Sequence, residues 1–279
     1  MTNDNCKIIK VACPLCKSIN TNCRRRYSDY SFFSCKNCEL EFVHPFKGTG
    51  DVFNNYSWTL PYTQQYAHYL NMVKYSVTKK IEIAQNITNK KIESFYDVGC
   101  GNGSHCEAAK ELGLITNGND IDPTNVNFAK NRGLNVSLGS LENLNTIEKY
   151  DFVHVKLTFH LLENPIDIIQ KLKRILSPKG VIFIDLPNQS SIYSLLRKIL
   201  IKSEYGQLQP PARNRAYHLS TIKYLTQKTG LKITKCVYFC VGDPIYYPLL
   251  HLDIEAKIIS LLSKLGISPL IGFYLTVME

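Results

Sequence analysis

Two C-x2-C pairs, Cys13-Pro14-Leu15-Cys16 and Cys35-Lys36-Asn37-Cys38, stand 18 residues apart. Two cysteines in a tight knuckle bite one ion. Two knuckles give four thiolates in a closed tetrahedron, which is a structural zinc site with no open position for catalysis. Further along, Asp97-Val98-Gly99-Cys100-Gly101-Asn102-Gly103 sets an acid ahead of three alternating glycines, and Asp120 follows 17 residues past Gly103. Glycines let a backbone approach a ligand closely. A carboxylate about 20 residues past such a loop suits ribose hydroxyls. Dinucleotide sites use G-x-G-x-x-G, because a pyrophosphate sits on the helix N-terminus. The G-x-G-x-G spacing here follows an acid that would repel phosphate, so it suits a ligand bearing an ammonium and a sulfonium instead.

The elements that must position these residues are legible in outline. The segment around the knuckles, with Tyr27, Tyr30, Phe32 and Phe33, reads as short strands. About 40 residues build little core alone, so bound metal would supply folding energy. From Pro61 to about Ile87 apolar residues recur at helical spacing (Tyr66, Tyr69, Leu70, Val73, Val77), after an aromatic cluster of Phe53, Tyr56 and Trp58. That helix either packs on the next domain or forms a lid. Residues 93–98 read as a buried strand running into the glycine loop, a helix starts near Ser104, and Leu114–Ile121 reads as the next strand. A strand, glycine turn and helix open a doubly wound α/β fold.

This pattern resembles the class I S-adenosylmethionine-dependent methyltransferases over about residues 92–240. The resemblance implies a mostly parallel, Rossmann-like sheet of seven strands behind a small zinc ribbon. The expected parts are a ribbon over 1–48, a helical linker or lid over 49–90, and the cofactor-binding domain over 91–279. It further implies that Asp97, Gly99, Cys100, Gly101 and Gly103 cradle the methionine part of the cofactor. Asp120, with Ile121 beside it, would bind the ribose, and Ser140 and Leu141, within Gly139-Ser140-Leu141-Glu142, would lie by the adenine. Residues 149–155 look like the fourth strand, Ile168–Leu176 its helix, Ser177-Pro178-Lys179-Gly180 a turn, and Val181–Leu186 with Pro187-Asn188 the fifth strand. With its ribbon, the whole chain looks like bacterial methyltransferases encoded beside surface-polysaccharide genes. Relatives often carry Glu-His before the Pro165 segment, where this chain has His160-Leu161.

A methyl on sulfonium is already electrophilic, so the protein mainly holds acceptor and methyl in line. A hydroxyl acceptor also wants a base, worth about 10²–10⁴-fold. Candidates are His218 first, His160 second, and Tyr217 beside His218; His105 belongs to the cofactor side or to packing. Base N-methylation usually shows an Asn/Asp-Pro-Pro-aromatic motif where this chain has Lys156-Leu157-Thr158-Phe159, which disfavours that chemistry. Later segments read as a basic amphipathic helix over Ile192–Lys202, suited to a pocket cap, a membrane surface or core packing, and a loop from Gly206 to Arg215. In that loop Arg213 and Arg215 could hold an acceptor phosphate. Ser220–Thr229 reads as a helix stopped by Gly230. Leu231–Cys240 and Ile271–Val277 look like the last two strands, which the resemblance implies pair antiparallel, with an apolar helix over His251–Leu265 between them.

The 279 residues carry a net charge of +10. Residues 1–50 hold eight Lys/Arg against four Asp/Glu, residues 51–188 hold 14 of each, and residues 189–279 hold 11 against five. Basic ends favour anionic partners such as RNA, phosphorylated sugars or acidic membranes, or serve solubility alone. The N-terminal residues are polar, and no apolar run reaches about 18 residues, so a cytoplasmic, reduced setting is expected. Three readings follow. The first is methylation of a small-molecule or glycan acceptor, phosphorylated in some cases. The second is RNA methylation with the ribbon, and Arg24, Arg25 and Arg26 between its knuckles, as grip. The third is a non-catalytic module that binds the cofactor and a partner.

Overall fold

The computed structural model describes residues 10–46, 64–141, 148–189, 191, 214–239 and 270–278. The N-terminal segment folds as β1 (Thr21–Arg26), β2 (Ser31–Cys35) and β3 (Glu41–His44), and the helix α1 (Gln64–Thr88) follows. Then come β4 (Ser94–Val98), α2 (Ser104–Glu111), β5 (Ile115–Asp120), α3 (Pro123–Asn131), β6 (Val136–Leu138) and β7 (Tyr150–Lys156). A 3-10 turn at Phe159–Leu161 leads to α4 (Pro165–Arg174) and β8 (Leu176–Pro187). The last elements are β9 (Arg215–Ala216), α5 (Leu219–Thr229), β10 (Leu231–Phe239) and β11 (Leu270–Val277).

Seven strands form one sheet in the order β10-β11-β8-β7-β4-β5-β6. β4 to β8 run parallel, and β11 lies antiparallel between β8 and β10. From β4 the chain goes to β5 on one side, and β7 later pairs on the other. Open α/β sheets hold ligands at such a switch point, outside the carboxyl ends of the strands.

The two sheet faces are read off strand alternation. Phe95, Phe152, Phe183 and Tyr274 lie on one face, under α1, whose Tyr69, Leu70, Val73, Val77, Ile81 and Ala84 recur at helical spacing and join the same apolar cluster. Each such aliphatic side chain buried contributes about 1.5–3 kcal/mol. Tyr96, Val98, Val153, Val155, Ile182 and Ile184 face the other way, toward Ile168, Leu172, Ile222 and Leu225 of α4 and α5.

The ribbon belongs to that second core. Cys13, Leu15, Phe33, Cys35, Cys38, Leu40 and Phe42 are buried in one cluster with Phe159, Tyr217 and the residues of α4 and α5. β9, read as loop in the sequence, pairs with β3 and makes a four-stranded sheet of order β1-β2-β3-β9. The segment thus completes its core with apolar surface from the larger domain.

The expected turn at 177–180 is instead part of β8. Tyr150 pairs with Leu176 and Phe152 with Val181, so the intervening residues are absorbed as a bulge, with Lys179 at φ 60°. Gly230 ends α5 in the left-handed region, as expected, at φ 66°. The aromatic cluster of Phe53, Tyr56 and Trp58, the segments Ile192–Lys202 and His251–Leu265, Glu142, Arg213, Cys6 and Cys240 lie outside the described residues. Among the described residues no helix is long and apolar enough to cross a membrane.

A shared core has a measurable consequence. Phe42→Ala should cost about 3–5 kcal/mol, and urea unfolding followed by circular dichroism should remain a single transition of lower midpoint. A separate early transition for the ribbon would contradict the shared core.

Candidate functional site

The glycine loop leaves β4 at the switch point. Gly99 has φ +67°, and a Cβ there would lie 2.5 Å from Oγ1 of Thr158, which follows β7. The two strand ends therefore close on each other at a position where only glycine fits. Gly101, at φ +54°, would meet nothing within 4 Å, so its backbone fronts open space. The Gly101 N–H donates to Asp120 Oδ2 at 2.8 Å, and the Asp122 N–H donates to Oδ1 at 2.9 Å. Each carboxylate oxygen keeps a lone pair for a further donor, as ribose hydroxyls require. Burial raises the Asp120 carboxyl above its ordinary value. Ile121 is exposed beside it, and Gly139, whose N–H donates to the Asp120 carbonyl at 2.9 Å, brings Ser140 and Leu141 alongside. The structure thus gathers the expected cofactor residues at the carboxyl ends of β4, β5 and β6.

Asp97 is the exception in orientation. Its side chain lies on the α1 face of the sheet, where Oδ1 meets His154 Nδ1 of β7 at 2.7 Å. His154 Nε2 lies 2.9 Å from Lys80 Nζ of α1. Burial holds His154 and His105 well below the ordinary histidine range, so the ring is neutral. The partners then fix its tautomer: Lys80 donates to Nε2, and Nδ1–H donates to Asp97. Burial pushes the Asp97 carboxyl up to about 7, against the pull of Lys80 and Lys156. Lys80 also lies over the Phe183 ring, and His105 packs on His154 at 4.9 Å. Near the start of α2, the Tyr69 hydroxyl meets the Ser104 hydroxyl at 3.3 Å, so α1 braces the loop at two points. Arg132 adds a third support by donating to the Asn102 carbonyl and pairing with Glu107.

A second polar group gathers at the ends of β7 and β8. The Leu157 N–H donates to the buried Asp185 at 2.6 Å. Asn188, Gln189 and Ser191 are all buried there, and His160 is buried within the 3-10 turn. His218 is the N-cap residue of α5, and the Thr221 hydroxyl accepts from its N–H at 3.3 Å. His218 Nε2 stands 3.7 Å from Glu41 Oε1 of β3, and the Gln189 amide donates to Glu41 Oε2.

Two expected residues point elsewhere. Tyr217 is buried and packs on Phe159 at 5.4 Å in one cluster with the ribbon cysteines, and that burial pushes its phenol well above the ordinary tyrosine range, which unfits it as a base. Arg215 is buried, lies over the Phe46 ring, and donates to the Leu162 carbonyl at 2.5 Å, so it is spent on β9 packing rather than open to an acceptor phosphate.

Cys13, Cys16, Cys35 and Cys38 bring their sulfurs within 4.8 Å of one another. Cys13 and Cys38 are 3.6 Å apart, and Cys16 and Cys35 are 3.4 Å apart. Four thiolates at about 2.3 Å from a tetrahedral zinc would lie about 3.8 Å apart, so the cluster could hold such an ion with a small expansion. Sequence reasoning missed Lys80, His154, Arg132 and Glu41. His154 alone carried a signal, as a polar residue inside an otherwise apolar strand.

Residues 96–184 match the family described as methyltransferase domain. The ubiquinone biosynthesis O-methyltransferase of Haemophilus ducreyi is 27% identical over 150 residues, half of this chain and 61% of that protein. Its counterpart from Histophilus somni is 28% identical over 134 residues, covering 44% of this chain and 54% of the relative. The chain therefore spans under two thirds of these curated relatives. Among solved structures, the plantazolicin methyltransferase BpumL in complex with SAH superposes with a TM-score of 0.52 at 21% identity, covering 76% of this chain and 88% of that one. A SAM-dependent methyltransferase from Archaeoglobus fulgidus gives 0.51 at 20% identity, covering 74% and 93%.

The buried chain from Lys80 to Asp97 should behave as a unit. Lys80→Met should cost about 1–3 kcal/mol by leaving buried acceptors without their donor. In a cycle with His154→Phe, measured by urea denaturation, the two changes should be non-additive by about 0.5–3 kcal/mol. Strict additivity would mean that the three groups do not act together.

Proposed function

We propose that this chain, which carries a methyltransferase domain on the class I fold, transfers a methyl group from S-adenosylmethionine to a hydroxyl of a sugar, glycan precursor or related small molecule. The observation that carries the reading is the pairing of two features at one sheet edge. An Asp120-braced glycine loop ends β4 and β5, and a cluster of buried polar side chains ends β7 and β8. When bound, the cofactor supplies a methyl carbon already activated by its sulfonium. The loop backbone at Gly99, Gly101 and Gly103 would hold its methionine part, Asp120 would accept from the ribose hydroxyls, and Ile121, Ser140 and Leu141 would flank the adenine. Asp185, Asn188 and Gln189 would orient the acceptor in line with the methyl, which converts a bimolecular encounter into a positioned one. A base at this edge would take the acceptor's proton. His218 and His160 are the sequence candidates for that base.

The cysteine cluster supports a structural zinc ion held by Cys13, Cys16, Cys35 and Cys38, since four thiolates leave no open coordination position. RNA as acceptor is the second reading. It is favoured by the exposed Arg24, Arg25 and Arg26 of β1, with Arg25 stacked over the Tyr27 ring.

Three measurements test these statements. Methyl label from S-adenosylmethionine should enter the nucleotide-sugar or glycan fraction of a cell extract and survive ribonuclease. Label destroyed by ribonuclease would replace this acceptor class with RNA. Asp120→Ala should weaken cofactor binding about 10–100-fold by calorimetry, the loss of one to two charge-assisted hydrogen bonds. Purified protein should contain one zinc per chain, and chelation should lower its melting temperature; metal-free protein of unchanged stability would remove the zinc assignment.

A further inference from the structure

Among the described residues, Glu41 ties the ribbon to the end of β8. Glu41 opens β3, pairs across to Ala216 of β9, and sends its side chain between two segments of the larger domain. One carboxylate oxygen takes the amide of Gln189, directly after the Pro187-Asn188 end of β8, and the other faces His218 Nε2 at 3.7 Å. Contacts of this length are common before an acceptor binds and tighten in the loaded complex. The Glu41 side chain keeps 19% of its surface exposed, whereas Gln189 beside it is buried. The Gln189 donation therefore aims the carboxylate toward His218 while part of it stays accessible.

His218 is poorly arranged to take a proton itself. It sits at the N-cap of α5, and its Nε2 faces a carboxylate. Tyr217 is buried against the cysteines and His160 lies inside the 3-10 turn. Through Gln189, Glu41 stands beside the carboxyl end of β8, two strand spacings, about 10 Å, from the strand that carries the glycine loop.

We propose that Glu41 of the ribbon is the base that receives the acceptor hydroxyl's proton, and that His218 is the positioning residue that holds it. The inference rests on the reading of hydroxyl methylation. In the step, the acceptor oxygen bonds to the methyl carbon, the sulfur–methyl bond breaks with its electron pair going to sulfur, and the hydroxyl proton passes to the Glu41 carboxylate. The carboxylate later releases it to water.

The test uses full-length, zinc-loaded protein and labelled methyl transfer to a low-molecular-mass cell extract, with kcat and apparent KM read by dilution of the extract. Glu41→Gln keeps the shape and should lower kcat about 10²–10⁴-fold, with KM, cofactor affinity and zinc content within about threefold of wild type. Glu41→Asp should recover part of that loss. His218→Asn keeps a good N-cap and a donor, and should lose less than about tenfold. Glu41→Gln at near wild-type kcat would overturn the proposal, as would a His218→Asn loss exceeding that of Glu41→Gln, which would make His218 the base. A wild-type protein that binds cofactor but methylates no hydroxyl would remove the underlying reading, and the role of Glu41 with it. Hydroxyl methylation untouched by Glu41→Gln would remove only the role of Glu41.

Discussion

Asp97 puts a carboxylate inside the sheet, where an unmatched charge costs several kcal/mol, so its neighbours are constrained by what they bring to it. His154, on the next strand, supplies a donor at 2.7 Å, and Lys80, from a helix more than 50 residues upstream of His154, supplies the balancing cation through the ring. The three groups together are close to neutral, and His154 links the other two. That condition sets the rotation of α1, because only one helical face brings Lys80 over the sheet while Tyr69, Val73 and Val77 enter the core. It also holds the end of β4 just where the chain must turn through Gly99. The helix that read as either packing element or lid is thus braced to the cofactor loop by polar contacts as well as by apolar ones.

The ribbon follows from a different constraint. Its few dozen residues bury Phe33 and Phe42, stacked at 5.6 Å, but cannot enclose them without Tyr217, Phe159 and the apolar sides of α4 and α5. Metal at the cysteines would fix the knuckles; it would not supply the missing apolar cover. Docking through β9 does so, and it also settles which ribbon side chains reach the cleft. The donation from Ser220 to Glu39 and from Gln189 to Glu41 are the polar margin of that apolar contact.

What the sequence made legible was local. The glycine loop, Asp120, the paired knuckles and the Gly230 stop all depend on residues close together in the chain, where spacing alone carries the geometry, whereas the antiparallel last strands were legible through the family resemblance. The bulge at 177–180 was misread because Pro-Lys-Gly is good turn chemistry, and strand pairing on both sides overrode it. Arg215 and Tyr217 were misread for a related reason: their types suggest chemistry, while β9 pairing buries them. Glu41 was invisible because its partners Gln189 and His218 lie far along the chain, and no periodicity links a ribbon strand to a loop that distant.

The distribution of charge on the ribbon bears on what that module serves. In the order β1-β2-β3-β9, the arginines of β1 lie on the outer edge and Glu41 on the strand that joins the larger domain. Three strand spacings, about 14 Å, separate β1 from β9. A polyanion drawn to Arg24, Arg25 and Arg26 would therefore sit on the far side of the ribbon, while the side facing the cleft presents a carboxylate that repels phosphate. A neutral hydroxylated acceptor meets no such conflict. The same carboxylate that would hinder a nucleic-acid backbone is the group an alcohol needs beside it as its proton leaves.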